Sequence, residues 1–420
     1  MTTAVHRLSG AVLGRLAAGL GGAEAIRELR RSQLSKHLLL IRFLLERQGA
    51  AGEQARDLLE RARSADPDGF AAVAGAPMVG GWTAIAGRAA MRGEATAADL
   101  GHISAIAIVA AARTGVDGSV AVPVHHGLAM LPGLGAIEAG DAASVRVSAA
   151  GGRLFVLTAG GVVEVPAERG WLPVRRLTAD AAGQAIDLAL DDLHPYRHGH
   201  HVPPANRLPD EEVDRWRAVF AEAWVLLATR SPERAGELGA GLQSLVPLVQ
   251  TDPRSARSAT IRHAFGVFGL TRPPTAADFA VTLVHEFQHS KLSAVLHLAR
   301  LTDPADERRY FAPWRTDPRP LPGLLQGVYA FAGVADTWLA LRDAEAIATR
   351  RFAETRLQVD RGLTSIEESG SLTPAGEEFV AALRITADRL LAEPVPADVD
   401  RDALAALART HAAWADRNGR

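Results

Sequence analysis

A chain of 420 residues has room for a large core, in two or three domains or one elaborated one. Hydrophobic residues make up 48% and charged residues 22%, and a net charge of −2 gives no basis for a nucleic-acid surface or an electrostatic membrane anchor. No cysteine is present, which excludes disulfides, thiolate zinc sites, iron–sulfur clusters and cysteine nucleophiles. Lysine occurs at Lys36 and Lys291 alone, so 44 of the 46 basic residues are arginine; with so much alanine, this reads as GC-rich codon usage before it reads as function. No long apolar run follows the first basic residues, and the apolar stretches 38–45 and 103–112 are too short or interrupted to span a bilayer. The expectation is a cytoplasmic protein with no nucleic-acid or membrane partner.

The first 115 or so residues read as helices. Ile26, Leu29, Leu34, Leu38, Ile41 and Leu45 recur at three- and four-residue steps. Thr96 with Asp99 forms a capping-box pattern that opens a helix through Ile103, Ile106 and Val109, and Pro77, Gly80 and Gly81 punctuate the chain before it. The period then changes: 145–147, 154–157, 162–165, 172–177 and 186–190 are short β-rich runs, with Gly151-Gly152 and Gly160-Gly161 as hairpin turns. Helices resume at 211–229, where Trp216, Phe220, Trp224 and Leu227 form a core stripe. A further helix opens after Thr275 and Asp278 and runs to about Arg300, a proline-rich loop covers 313–322, and later helices include one starting at Thr373-Pro374. The expected fold is α+β and mainly helical, with a small antiparallel sheet of four or five strands between helical N-terminal and C-terminal parts. Its divisions are a helical region 1–116, the sheet at 117–192, a loop and helical connector at 193–274, and a helical metal-binding region at 275–420.

His285-Glu286-Phe287-Gln288-His289 lies inside the helix that Thr275 opens. Four residues make just over one turn, so both imidazoles project from one face and can reach one ion, while Glu286 lies about 100° around and suits metal-bound water better than the metal. A third ligand is not fixed by spacing. Leu292 and Val295 occupy the positions where an extended zincin pattern has Gly and His, and His297 lies two turns beyond His289, out of reach of a shared ion. Glu307 suits a gluzincin-like arrangement, and Asp303, Asp306, Asp317 and Asp336 are also available.

Three segments carry a resemblance: Leu283 to Leu292 with the histidine motif, Ala312-Pro-Trp-Arg315-Thr-Asp-Pro-Arg319-Pro, and Gly323-Leu-Leu-Gln326-Gly-Val-Tyr329-Ala-Phe331. Together they resemble the 2-oxoglutarate-dependent HExxH-type peptide β-hydroxylases of ribosomal peptide maturation, and the likeness extends to Asp191–Arg197, to Ser258-Ala259-Thr260 and to Ala264-Phe265-Gly266. The resemblance implies an iron(II) oxygenase in which His285 and His289 bind the metal, 2-oxoglutarate chelates it and oxygen takes a remaining position. The product would be β-hydroxylated Asp, Asn or His in a ribosomally made precursor peptide, with other maturation enzymes as further partners.

Arginine grips a carboxylate through a planar two-pronged fork, which makes Arg315, and secondarily Arg319, candidates for the distal carboxylate of 2-oxoglutarate; pairing with Asp317 or helix capping is the plainer role. Gln326, between Gly323 and Gly327, is a candidate third metal ligand or a hydrogen-bonding partner of substrate, and Asp336 a candidate orienting group for a ligand histidine. The glycines would let a ligand or backbone approach closely. His194, His198, His200 and His201 form either a second metal site or a solvated loop, Tyr196 and Arg197 are peptide-binding candidates, and His125-His126 receive no role. Two other functions remain open: a zinc peptidase with Glu286 as general base and Glu307 completing the site, or a non-catalytic module that presents a precursor peptide.

Overall fold

The computed structural model describes residues 6–158, 161–198, 202–252 and 256–418. Helices α1 (Gly10–Ala17), α2 (Gly22–Gln48), α3 (Glu53–Ala65), α4 (Pro67–Ala74), α5 (Pro77–Arg92) and α6 (Ala97–Arg113) come first. The Thr96 side chain accepts from the Asp99 N–H while Asp99 accepts from the Thr96 N–H, so the expected capping box opens α6. Strands β1 (Gly118–His125), β2 (Leu128–Leu131), β3 (Gly135–Glu138), β4 (Ser144–Ala150), β5 (Arg153–Thr158), β6 (Gly161–Val165) and β7 (Trp171–Pro173) follow, then β8 (Arg175–Ala181) and β9 (Gln184–Leu190). The rest is α7 (Asp210–Arg230), α8 (Pro232–Gly241), β10 (Ser244–Pro247), β11 (Ser258–Thr260), β12 (Val267–Leu270), α9 (Ala276–Leu296), β13 (Arg309–Tyr310), β14 (Arg319–Pro320), α10 (Leu321–Leu341), α11 (Ala348–Glu367), α12 (Pro374–Ala392) and α13 (Ala397–Asn418).

The expectation of one small antiparallel sheet between helical parts is overturned. Strands β1 to β7 build a seven-stranded antiparallel sheet in the order β6-β5-β4-β1-β2-β3-β7. A separate five-stranded sheet, β11-β12-β10-β9-β8, is mixed: β10 runs parallel to both β9 and β12, and the two outer pairings are antiparallel. The run 172–177, read as one strand, is divided at Val174 between the two sheets. Residues 244–270, read as connector, supply three strands.

The reasons are local. Pro123 lies inside β1, yet its missing N–H costs no ladder bond. Val124 N–H donates to Ala143 O on the β4 side, so the Pro123 nitrogen faces the other way, where pairing with β2 starts only at Val124. All four residues of β10 are buried, so it lacks the alternation that marks a half-exposed strand. Gly151 and Gly152 do form the β4–β5 turn, at φ of 56° and 77°; Gly160 of the other expected turn lies outside the described residues.

Helix α2 joins two cores. Its first half sets Ile26 and Leu29 among α7, α9, α10 and the five-stranded sheet, whereas Leu38, Ile41, Leu44 and Leu45 pack with α3, α6 and the inner face of the seven-stranded sheet. Among the described residues, α10 is the single helix long and apolar enough to cross a membrane, and 72% of its apolar window is buried inside the fold; α4 and α5 would pass only as one span bent by 59°.

Candidate metal centre and its cleft

Helix α9 is capped at Thr275, whose hydroxyl accepts from the Asp278 N–H, and most of its length is buried between the five-stranded sheet and α10. That position leaves one open stripe. His285 and His289 stand on it, ring centroids 4.7 Å apart and planes at 85°. They line a cleft of about 260 Å³ whose other walls are the end of β11 with Thr260 and Arg262, the 313–319 loop, and the first turns of α10.

Each imidazole is held in a ligand-like state. Burial, then the neighbouring His289, lowers the His285 pKa to about 4 against the opposing pull of Glu286, so the ring is neutral at pH 7. Phe331 packs edge-on against it at 5.2 Å, and Trp314 stacks on Phe331 at 4.6 Å and 17°. Nδ1 of His289 lies 3.1 Å from Oε1 of Gln326. An amide oxygen only accepts, so Nδ1 carries the proton and Nε2 keeps its lone pair for a metal. The Gln326 amide nitrogen donates in turn to Ser293 Oγ at 3.4 Å. Gln326 thus sits behind His289, the place an outer-sphere partner takes when a histidine binds a metal.

Glu286 has a different environment. It is 3% exposed and is not among the residues lining the cleft. Ser258 Oγ donates to its Oε1 at 2.7 Å and Thr260 Oγ1 donates to its Oε2, tying the carboxylate to β11; Oε1 lies 3.8 Å from His285 Nε2. The carboxylate is a strut between helix and strand.

The acidic third-ligand candidates stand elsewhere. Asp336 is bridged by Arg234 at 3.0 Å and Arg389 at 2.7 Å, so it does not orient a histidine. Asp306 is held by Arg308 and Tyr310, Asp303 caps the turn at Ala305, and Glu307 is exposed away from the cleft. Asp317 pairs with Arg315 at 2.7 Å and more loosely with Arg319 at 3.5 Å. Among the described residues, no three His, Asp or Glu side chains gather closely enough to hold a metal ion, so His285 and His289 stand as a pair with an amide behind them.

Arg315 and Arg319 both line the cleft while sharing Asp317, so the ion pair and the cleft-facing position coexist. A third arginine, Arg262, was not singled out from sequence; the available signal was its place directly after the Ser258–Thr260 segment. Trp314 was also without an assigned role. The close approach at the α10 glycines is taken up by the chain itself: a Cβ on Gly327 would meet Trp314 Cζ2 at 2.1 Å, and one on Gly323 would meet the Arg319 guanidinium at 3.3 Å.

The histidine-rich loop divides. His200 and His201 lie outside the described residues, and His198 lines a neighbouring cavity. His194 is fully buried with its ring centroid 5.2 Å from that of His102, and His102 also meets His125 at 6.0 Å and Tyr196 at 5.0 Å. The Nε2 atoms of all three histidines lack a protein partner. His194 Nδ1 accepts from the Tyr196 N–H, which puts the ring proton on Nε2 and bars that nitrogen from ligating a metal. Tyr196 is 3% exposed and donates to Asp99 at 2.8 Å, and Arg197 donates to the His194 and Ala205 carbonyls. Both brace the loop instead of facing the cleft. His297 stacks on His263 at 6.3 Å, away from the motif pair.

No model of a known protein family matches the chain, and no curated protein matches it. The functional reading therefore rests on the cleft.

Proposed function

We propose that the cleft is the centre of an iron(II)- and 2-oxoglutarate-dependent oxygenase that hydroxylates a side chain of a peptide. The observation that carries this reading is the presence of two imidazoles and a wall of three arginines, Arg262, Arg315 and Arg319, around one cleft. Two neutral protein ligands leave a divalent cation short of anionic donors, and a basic wall holding one shared carboxylate favours a small dianion that both chelates and reaches across. When bound there, iron with 2-oxoglutarate and oxygen would supply the oxidant for a carbon–hydrogen bond, releasing succinate and carbon dioxide as the peptide gains a hydroxyl. The chain's own tasks are positional. His285 and His289 present lone pairs, Gln326 accepts from the far nitrogen of His289, and Phe331, backed by Trp314, packs edge-on against His285. The arginine forks orient the distal carboxylate.

A zinc peptidase needs a general base free to take a proton from metal-bound water, and the bonds to Ser258 and Thr260 oppose that role for Glu286. A presenting module would need no histidine pair set one turn apart in a cleft lined by arginines. The deciding experiment is anaerobic loading with iron(II), addition of 2-oxoglutarate while the visible charge-transfer band is followed, then oxygen with succinate assayed. We expect a band that His285→Ala and His289→Ala abolish, and succinate formation that Glu286→Gln reduces without abolishing. Zinc-dependent cleavage of peptides, with no band and no succinate, would overturn the proposal.

A further inference from the structure

Beside the metal cleft lie two more cavities that share its walls. One, of about 420 Å³, shares Thr260 and Arg262 with it and extends past His263 and His198 to Arg88 on α5. The other, of about 260 Å³, shares Arg262, Arg319 and Gln326 and extends to His297. Residues of the segment 259–263 line all three, and β11, which leads into it, is the edge strand of its sheet, with one side unpaired by any strand among the described residues. Arg262 lines all three, so the three cavities meet at that side chain, and the one that holds the histidine pair opens beside the other two.

The charge around these cavities departs from that of the molecule. The chain as a whole carries −2, yet no Asp or Glu lines any of the three cavities, while Arg88, Arg262, Arg315 and Arg319 all do. Among the described residues neither Arg88 nor Arg262 has a carboxylate partner, and both are exposed. Lys36 donates to the His263 carbonyl at 3.1 Å and adds a cation at the same end. Burial, with Lys36, Arg88 and Arg262 close by, holds the His263 pKa below its usual value. A basic stripe in which four arginines share the single carboxylate of Asp317, on a slightly acidic protein, is a device for an anionic partner.

We propose that the groove from Arg88 past Arg262 to His297 is the docking track for an acidic, extended peptide segment, laid along β11 so that one of its residues passes the histidine pair. The inference rests on the peptide-hydroxylase reading for what happens at that pair. An extended chain suits an edge strand, which offers main-chain hydrogen bonds while flanking pockets take side chains. A single-stranded nucleic acid fits less well, because such grooves interleave basic groups with aromatic stacking platforms. Neither outer cavity is lined by Phe, Tyr or Trp, and the cleft's Trp314 and Phe331 are stacked on one another.

The test is fluorescence anisotropy of the metal-free protein with a short labelled peptide alternating Glu and Ala, its Gln counterpart, and an oligothymidylate. Expected are saturable binding of the Glu peptide that weakens with salt, little binding of the Gln peptide, and weakening of roughly two- to fivefold in Arg88→Gln and roughly tenfold in Arg88→Gln with Arg262→Gln. With a turned-over substrate, Arg88→Gln should raise the peptide KM at unchanged kcat and unchanged 2-oxoglutarate KM. Equal binding of the Gln peptide, indifference to both substitutions, or tighter binding of the oligonucleotide would overturn the track. Acidic-peptide binding without any succinate would instead sink only the oxygenase reading, and succinate formed from neutral peptides would sink only this one.

Discussion

At His289 one acceptor decides which nitrogen can meet a metal. Gln326 takes the Nδ1 proton at 3.1 Å, and no other acceptor is bonded to that ring among the described residues. Removing it leaves the ring free to turn and to change tautomer. Loss of such a partner ordinarily weakens metal binding by roughly 10- to 100-fold. Gln326→Ala should therefore lower cobalt(II) affinity by about that factor, read from the cobalt d–d bands, and Gln326→Glu, a stronger acceptor, should match or exceed the parent. Affinity unchanged in Gln326→Ala would mean the hydrogen bond is incidental. The histidine pair was readable because both members lie one turn apart on one helix. Gln326, Arg262 and Trp314 were not, because each reaches the cleft from another element, and nothing near them in sequence records that approach. Glu286 shows the complementary limit: its position in the motif suggested a base, and the hydroxyls of Ser258 and Thr260 that tether it, 26 to 28 residues away, left no mark in the motif.

Helix α9 is fixed from behind by a buried charge network that its apolar pattern conceals. Lys291 is fully buried, with Nζ 2.6 Å from Glu237 Oε2 on α8 and 3.0 Å from the Gly19 carbonyl. Glu237 Oε1 also accepts from the Gly21 N–H at 2.6 Å, and Arg234 reaches Gly19 O at 2.6 Å and Asp336 on α10 at 3.0 Å. Burial works to raise the Glu237 pKa, but Lys291 and Arg234 together keep it lowered, so the carboxylate stays charged. Burial lowers that of Lys291 to about 8, with Glu237 opposing. Desolvation makes such a pair a poor source of net stability but a costly one to break, at about 3–5 kcal/mol for one partner lost. Glu237→Ala should lower the unfolding free energy by about that much in urea titration, whereas Lys291→Met with Glu237→Gln should recover most of it. If the single change costs no more than the double, the pair does not act as a unit. One of the chain's two lysines is thus spent on locating the motif helix against the 19–22 loop, α8 and α10. Sequence gave no hint of this, because charge partners separated by 54 residues leave no local pattern. The helix starts were legible for the opposite reason: the caps at Thr96, Thr275 and Thr373 are bonds within one turn.

Across the whole molecule, the sheets were the least legible part, since a strand of three or four residues is defined by the neighbour it meets. β10 pairs with β9 across the whole of α7 and α8, and no turn chemistry announces a parallel partner at that distance. The same long-range closure buries histidines far from the cleft. His37 on α2 has its Nδ1 against the Ala74 carbonyl and its Nε2 without a partner; burial and then Lys36 lower its pKa from 6.5 to about 4. His194 falls to about 3 through burial and then the charge of Arg197. Both groups bind a proton in the unfolded chain near pH 6.5 and resist it when folded. Their contribution to stability is therefore complete above pH 6.5 and lost as pH falls toward 4 for His37 and toward 3 for His194. Within that window each costs about 1.4 kcal/mol per pH unit. The urea midpoint should fall increasingly steeply from pH 7 to pH 4.5. His37→Asn, whose amide nitrogen stands where Nδ1 stood and so keeps a donor for Ala74 but cannot titrate, should flatten the fall by one proton's worth. A midpoint that declines equally in the variant would show that His37 takes up its proton without unfolding.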